Sequence, residues 1–204
     1  MNLILASTSP YRRRLLERLR LPFMCIDPEI EESLQDRESP QARACRLATE
    51  KALSAAETLQ DEAIVIGSDQ VACLGSELGS EILHKPGTPE AAIAQLTASS
   101  GQTVQFWTGV SLWTSPGEAP TQQVVPCEVK IRELNADEIS RYVALDQPLD
   151  CAGSFKWESL GITLFEAMRT DDPTALEGLP LIALSELLRE AGVSLPLAAQ
   201  SAQH

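Results

Sequence analysis

The chain has 204 residues, of which 44% are hydrophobic and only 4% aromatic, and its formal net charge is −13. This length suits one globular domain with a sizeable core, and the negative charge argues against a nucleic-acid partner, whose phosphates need clustered lysine and arginine. The sequence contains no apolar run long enough to span a bilayer and no basic, apolar leader, so we expect a cytoplasmic protein without a membrane partner.

The chain opens with a short apolar run at residues 3–6, which predicts a strand. Small hydroxyl residues follow, and then Ser9 and Pro10 stand in the order that favours an N-cap and a first helical position. The sequence therefore predicts a strand, a tight turn and the start of a helix. Such a turn directs backbone N–H groups and the positive end of a helix dipole at one place, which favours phosphate binding.

The three arginines of this first turn are expected to play different parts. Arg12 lies three and four residues before the leucines of the buried helix face, so it stands at the corner between strand and helix. A guanidinium, which is always charged, is favourable at this corner only if it binds an anion. Arg13 and Arg14 are expected to pair with Glu17 on the solvent side instead.

An acidic segment with no apolar periodicity, DPEIEE at residues 27–32, follows a short predicted strand at residues 23–26. Such a charged run is usually a solvated loop. Its carboxylates could also supply the hard oxygen ligands that Mg²⁺ or Mn²⁺ accepts. A long helix is then predicted over residues 39–59, and it contains Lys51.

A buried strand is predicted over residues 63–69, ending at Asp69. The carboxyl end of a central strand is where open α/β sheets place ligand chemistry. The competing interpretation is a structural aspartate that caps the next turn. Residues 71–74 and 81–83 are expected to pair as a hairpin with its tip at residues 75–80.

The rest of the chain also alternates between helix and strand patterns. We predict a helix over 89–99, a strand over 103–113, its antiparallel partner over 122–133 across a turn at 116–117, a helix from Asn135 to about 145, a strand over 162–169 and a helix over 180–191. We expect one continuous domain over residues 1–192 and a tail over 193–204. The five cysteines are dispersed and never spaced C-x-x-C, which predicts reduced, buried thiols.

Seven motifs occur in the order that is typical of one protein family. They are LASTSPYRR (5–13), LATEKA (47–52), IGSDQ (66–70), HKPGTPEAA (84–92), WTGVSL (107–112), CAGSFKWESLG (151–161) and GLPL (178–181). With them the chain resembles the Maf family of nucleotide pyrophosphatases from residue 3 to about residue 188. The resemblance implies an α/β fold with an elongated mixed sheet flanked by helices, in two lobes around a central cleft (Maf/ITPase-like), and a homodimer.

The resemblance also implies an activity, namely hydrolysis of a nucleoside triphosphate to the monophosphate and pyrophosphate with a divalent metal, Mg²⁺ or Mn²⁺. Attack on the α-phosphorus needs an oriented water, a base and positive charge on the phosphate oxygens. Asp69 is the implied catalytic residue, and whether it takes the proton or holds the metal stays open. The implied metal-binding residues are Glu32 and Asp69, and the implied phosphate-binding residues are Ser9, Arg12, Lys51, Lys85 and Lys156.

Details of the motifs resemble the subgroup that prefers 7-methyl-GTP over dTTP and UTP. These are an aromatic Tyr11 after Ser-Pro, Gln70 after the aspartate, and Glu158 near the end of the CAGSFKWESLG motif. The methylated guanine carries a positive charge, so stacking on Tyr11 or Trp157 gains a cation–π contribution of about 0.5–2 kcal/mol. Its Watson–Crick edge presents two neighbouring donors, which a carboxylate accepts and an amide cannot.

Two other functions stay open on the sequence alone. One is hydrolysis of dTTP or UTP by an enzyme of the same family, which would share every catalytic residue. The other is a nucleotide-binding regulator of cell division and septum formation. A regulator without catalysis could lose Asp69 or Lys85, whereas this chain keeps both.

Overall fold

A computed structural model of the chain describes residues 2–59, 61–75, 81–114 and 118–200, and seven strands in these ranges form one mixed sheet. Strand β1 pairs in parallel with β2 and β3, and the other pairs are antiparallel. The order is β2-β1-β3-β5-β6-β7, with β4 paired to β3. The strands are β1 (Asn2–Ala6), β2 (Met24–Ile26), β3 (Ala63–Leu74), β4 (Glu81–Ile82), β5 (Thr103–Trp113), β6 (Thr121–Ile131) and β7 (Phe165–Arg169).

Five α-helices in the described ranges flank the sheet, which confirms the predicted α/β fold. Helices α1 to α4 begin where the local patterns predict, because the side chain of each N-cap accepts a hydrogen bond from the backbone N–H three residues later. None of the helices in the described ranges is long and apolar enough to cross a membrane. They are α1 (Pro10–Glu17), α2 (Pro40–Glu57), α3 (Pro89–Ser99), α4 (Ala136–Asp146) and α5 (Leu181–Glu190).

Strand β3, which carries Asp69, is longer than predicted. It runs without a break from Ala63 to Leu74, so the prediction that Asp69 ends a strand is wrong. The pairing of β3 with β4 through Cys73 and Ile82 is confirmed. The tip of this hairpin at residues 76–80 and the predicted turn at residues 116–117 lie outside the described residues.

Two smaller predictions also change. The last strand starts later than expected, because residues 160–164 form a 3₁₀ turn before β7 begins at Phe165. The cysteines form no disulfide within the described residues, but Cys25 is exposed, so the prediction of buried thiols is wrong for this residue. Cys73 and Cys127 are buried as predicted.

One edge of β3 is left open in its middle. Strand β1 ends where Ala6 pairs with Gly67, and β4 begins where Ile82 pairs with Cys73. In the described part of the chain, no strand pairs with this edge of β3 between those two points. We call this stretch, residues 68–72, the edge gap. It places Asp69 and Gln70 beside an opening in the sheet.

The helices cover the sheet unequally. Helices α1 and α5 pack on one end of one face, and α3 and α4 pack on the other end of that face. Helix α2 packs on the opposite face, against alternate residues of β1 and β3. The two ends of the first face are separate parts of the apolar core, and the edge gap lies between them.

Helix α2 lies unusually close to the sheet, because glycines stand beneath it. A Cβ on Gly67 would lie 2.0 Å from the carbonyl oxygen of Ala48, and a Cβ on Gly109 would lie 2.3 Å from that of Ala44. Distances this short are incompatible with any side chain. The small residues on both sides therefore bring the α2 backbone into direct contact with β3 and β5.

We predict that Gly67→Ala destabilises the fold, because the added methyl group must push α2 away from β3. Overpacking of this kind costs roughly 1–3 kcal/mol, so thermal unfolding should show a clearly lowered Tm. The exposed α2 residue Gln41 offers a control, and Gln41→Ala should leave the Tm nearly unchanged. An unchanged Tm for Gly67→Ala would contradict the close packing described above.

Candidate active site

A cavity of about 590 Å³ opens at the edge gap. Its volume lies in the range of sites for small molecules and cofactors. All of the predicted site residues except Lys156 line it. These are Ser9, Tyr11, Arg12, Glu32, Lys51, Asp69, Gln70, Lys85 and Glu158.

The centre of the cavity is an ion cluster around Lys51. Its Nζ lies 2.6 Å from Oδ1 of Asp69 and 2.6 Å from Oε1 of Glu32. Lys51 and Asp69 are buried, whereas the Glu32 side chain is 52% exposed. An ammonium group has three N–H donors. Two of them are used by the carboxylates, so one remains for a ligand.

The approach of α2 to the sheet explains this arrangement. Asp69 points to the α2 face of β3, the same face as Gly67, because residues two apart on a strand share a face. Lys51 lies on the same helix as the alanines that contact the glycines. A long side chain on a helix leans toward the helix N-terminus, and this direction carries the ammonium of Lys51 along the sheet to Asp69.

Glu32 is held in its charged form by the surrounding cations. Burial favours its protonated form, but the hydrogen bond and charge of Lys51 outweigh this effect and lower the pKa of Glu32. The charges of Arg12 and Lys85 act in the same direction. The acidic segment at residues 27–32 is a loop, and its Glu32 carboxylate lines the cavity.

Arg12 occupies the corner predicted from the sequence. Its Nε donates to the carbonyl oxygen of Gly178 at 2.8 Å, and its Nη1 donates to Oγ of Ser7 at 3.4 Å. Gly178 has φ 98°, which only glycine adopts readily. Burial lowers the pKa of Arg12, while the charges of Asp69 and Glu32 oppose this shift.

Ser9 lines the cavity but also has a structural task. Its Oγ accepts the backbone N–H of Arg12 at 3.4 Å and caps α1, and its own N–H donates to Oγ of Ser7 at 3.1 Å. Several donors and acceptors of the turn are therefore already used within the chain. Fewer N–H donors of this turn are available to an anion than the sequence predicts. The formal positive charge at the turn comes from Arg12.

The two other arginines of α1 differ from each other. Arg13 pairs with Glu17 at 3.2 Å, as predicted. Arg14 does not join this pair, because its guanidinium lies 5.5 Å from the centre of the Tyr11 ring. One side of Tyr11 thus already faces a cation. Trp157 is partly buried, packs against the core beneath α3 and α4, and lines the same cavity.

Gln70 connects the cavity wall to the turn that holds Arg12. Its Nε2 donates to the carbonyl oxygens of Ala175 at 2.8 Å and Leu176 at 3.2 Å, in the 3₁₀ turn Pro173–Glu177. The next residue after this turn is Gly178, the acceptor for Arg12. The donors of Gln70 are thus used within the protein, and its amide stabilises the position of the turn.

The two remaining predicted lysines lie in different surroundings. Lys85 is exposed on the cavity wall and acts on Glu32 through its charge. Lys156 donates to the carbonyl oxygens of Asp146 at 3.1 Å and Gln147 at 3.2 Å, at the C-terminus of α4. A lysine is favourable at such a helix end. Lys156 does not itself line the cavity, but its Nζ lies 3.7 Å from Oδ1 of Asp150, which does.

Sequence reasoning missed three charged residues of the cavity, Arg43, Asp150 and Glu177. Arg43 is buried on α2, two turns before Lys51. Burial and the nearby charge of Glu158 raise the pKa of Glu177, although Arg18 and Arg14 oppose the shift. The only available signal for Glu177 was a charge inside the otherwise apolar run ALEGLPL. Arg43 gave no signal, because a charged residue in a helix is ordinary.

The donor set suits a hard divalent cation. The carboxylates of Glu32, on a loop, and Asp69, on a strand, both lie 2.6 Å from the ammonium of Lys51 and so lie close to each other. In the described ranges no group of three or more His, Cys, Asp or Glu side chains forms a closed metal cage. Mg²⁺ usually binds one or two carboxylates together with waters and substrate phosphates, so the two residues fit such an ion.

Comparison with known proteins identifies the family. The model of the family described as Maf-like protein matches residues 2–191. The chain belongs to the Maf-like proteins. It is 55% identical over 194 residues to the 7-methyl-GTP pyrophosphatase of Xanthomonas axonopodis pv. citri, which covers 95% of this chain and 98% of that protein.

Two further comparisons agree with this family. The 7-methyl-GTP pyrophosphatase of Aromatoleum aromaticum is 53% identical over 194 residues, 95% of this chain and 97% of that protein. The structure of the Staphylococcus aureus Ham1 protein superimposes with a TM-score of 0.53 at 15% identity, over 94% of this chain and 100% of that one. At this low identity the likeness concerns the fold, and it confirms the architecture predicted for the family.

We predict that Glu32→Gln lowers stability near neutral pH and that this loss disappears in acid. The lowered pKa of Glu32 means that its ionised form stabilises the folded state. This contribution is present above the unfolded-state pKa of about 4.3 and is lost as the pH falls through the folded-state pKa. Thermal melts of both proteins across this range should therefore converge at low pH.

The control is Glu29→Gln, which removes an exposed carboxylate of the same segment. It should follow the wild-type pH profile throughout. If Glu32→Gln instead differs from wild type by a constant amount at every pH, the ionised carboxylate is not the source of the effect.

Proposed function

We propose that this Maf-like protein hydrolyses 7-methyl-GTP to 7-methyl-GMP and pyrophosphate, and so removes a modified nucleotide. The main support is the ion cluster of Lys51 with Glu32 and Asp69, which shares one cavity with Arg12. Cations for phosphate oxygens and carboxylates for water or metal are thus adjacent. Relatives named 7-methyl-GTP pyrophosphatase, at 53–55% identity, support the same activity.

In the proposed reaction a water oxygen attacks the α-phosphorus and the bond to the oxygen that bridges the α- and β-phosphorus breaks. Pyrophosphate leaves with the electron pair of that bond. Arg12, Lys51 and Lys85 bind phosphate oxygens and stabilise the negative charge that moves toward the leaving group. Lys51 has one N–H donor left for this contact, and Arg12 is already oriented by the carbonyl of Gly178.

The carboxylates of the cluster orient the water and accept its proton. Asp69 suits this task because it is buried in the sheet and fixed at 2.6 Å from Lys51. Glu32 and Asp69 would together hold a divalent metal, Mg²⁺ or Mn²⁺. When bound, such an ion supplies further positive charge to the phosphate oxygens and lowers the pKa of water.

Other residues of the cavity suit a base that carries a positive charge. Glu158 and Glu177 both line the cavity, and the charge of Glu158 raises the pKa of Glu177. Tyr11 and Trp157 supply aromatic surface nearby. A neutral pyrimidine gains little from two carboxylates, whereas N7-methylguanine neutralises part of their charge and also offers two donors to one of them.

We predict that Asp69→Asn folds normally and loses turnover by roughly 10²–10⁴-fold, the usual contribution of a general base. Purified protein would be incubated with Mg²⁺ or Mn²⁺ and with 7-methyl-GTP, GTP, dTTP or UTP, and pyrophosphate release would be measured. Wild type should act fastest on 7-methyl-GTP. A cooperative thermal transition would show that the variant is folded, even where loss of the pair with Lys51 lowers its Tm.

Other results of this panel would decide against the proposal. Faster hydrolysis of dTTP or UTP would assign the chain to the pyrimidine-specific activity. Binding of nucleotides without pyrophosphate release would indicate a regulator. Wild-type turnover by Asp69→Asn would mean that the catalytic centre lies elsewhere.

We further predict that the two carboxylates near the base act differently. Glu158→Gln should slow both 7-methyl-GTP and GTP hydrolysis about tenfold relative to dTTP, since a hydrogen bond to a charged group contributes roughly 1.5–3 kcal/mol. Glu177→Gln should lower the 7-methyl-GTP to GTP ratio about fivefold, because only the methylated base carries the charge that it attracts. If both substitutions changed the 7-methyl-GTP to GTP ratio of kcat/KM by the same factor, this division would be contradicted.

A further inference from the structure

The loop that carries Glu32 lacks regular structure. Residues 27–35 contain no helix or strand, and most of them are exposed. A carboxylate that contributes to catalysis must nevertheless keep its position within a fraction of an ångström. The contacts that hold this loop therefore decide how well Glu32 can work.

Two arginines of α2 bind this loop through consecutive carbonyl groups. Nη2 of Arg43 donates to the carbonyl oxygen of Glu32 at 2.9 Å, and Nη2 of Arg46 donates to that of Ser33 at 3.2 Å. Residues three apart on a helix lie on one side of it, which explains how both reach the same loop. Lys51 of the same helix then binds the Glu32 side chain.

The two arginines differ in what else they do. Arg46 pairs with Glu38 at 2.6 Å and with Glu50 at 3.0 Å, so its charge is compensated within the protein. Arg43 is 8% exposed and, among the described residues, forms no salt bridge. Its Nη1 is buried without an acceptor in the same part of the chain.

A buried guanidinium with an unsatisfied donor is a poor choice for stability alone. The carboxylate of Glu38, on which the charge of Arg43 acts, pairs with Arg46 and forms no salt bridge with Arg43. Burial of the guanidinium therefore costs free energy that an apolar side chain at the same place would avoid. The hydrogen bond of Arg43 to the Glu32 backbone is the contact that distinguishes it from such a side chain. This contact lies on the wall of the cavity, where Glu32 meets Lys51.

We propose that Arg43 is a positioning residue for Glu32, which holds the backbone of the loop against α2 so that the carboxylate stays directed at Lys51. This inference rests on the proposed function in one respect, namely that Glu32 contributes to the reaction. In this role Arg43 acts through Glu32, although it also lines the cavity, and a direct contact with substrate would instead lower kcat equally with and without Glu32. Its loss should therefore matter only while Glu32 is present.

The test uses Arg43→Met, which keeps a long side chain and removes the donors, in wild type and in a Glu32→Gln background. Replacing a group that orients a metal ligand typically costs 10–100-fold in activity or metal affinity. We expect kcat to fall by about tenfold in wild type and by less than twofold with Glu32→Gln, since coupled residues are not additive. An equal loss in both backgrounds would overturn the proposal.

A second measurement does not depend on turnover. Hydrogen exchange of residues 29–35, followed by mass spectrometry in the free protein, should be faster in Arg43→Met than in wild type, with exchange in β3 unchanged. Arg13→Met, which removes an exposed arginine of α1, is the control and should change neither region. Wild-type exchange of the loop in Arg43→Met would overturn the proposal.

If Arg43→Met does not fold, Arg43→Lys provides the test instead. Lysine retains the charge but not the reach of the guanidinium, so loop exchange should still be faster than in wild type. If no triphosphate is hydrolysed by wild type, the proposed function fails, while the exchange measurements still decide whether Arg43 holds the loop.

Discussion

The direct contact between α2 and the sheet is the constraint on which the site depends. Gly67 and Gly109 leave no room for a side chain beneath the helix, and Ala44, Ala48 and Ala52 are fully buried against them. Only at this distance does Lys51 reach Asp69 from the side of the helix. Burial of apolar surface at this contact therefore also offsets the free-energy cost of burying Lys51 and Asp69.

The charged groups of the site are held in place by contacts within the protein. Lys51 pairs with two carboxylates, and Arg12 is oriented by a backbone carbonyl while the charges of Asp69 and Glu32 act on it. Such preorganisation lowers the reorganisation needed during the reaction. Arg12 depends in turn on Gly178 and on the turn that Gln70 binds, so residues far apart in sequence act on one guanidinium.

Features that depend on a few neighbouring residues could be predicted from the sequence. Ser9 caps α1 and Asn135 with Glu138 forms a capping box, because both patterns act within one turn. The meeting of Lys51 with Asp69 has no local signal and followed only from the family resemblance. The surroundings of Lys156 were not predictable either, because the C-terminus of α4 competes for its ammonium through tertiary contacts.

The edge gap has a mechanical consequence. The core beneath α1 and α5 and the core beneath α3 and α4 are joined through the long strands β3, β5 and β6, whereas β1 and β4 stop on either side of the opening. A nucleotide lying there would contact both parts at once, from Arg12 on one side to Lys85 on the other. Intact substrate would thus connect the two halves of the molecule and stiffen it, and cleavage would end this connection.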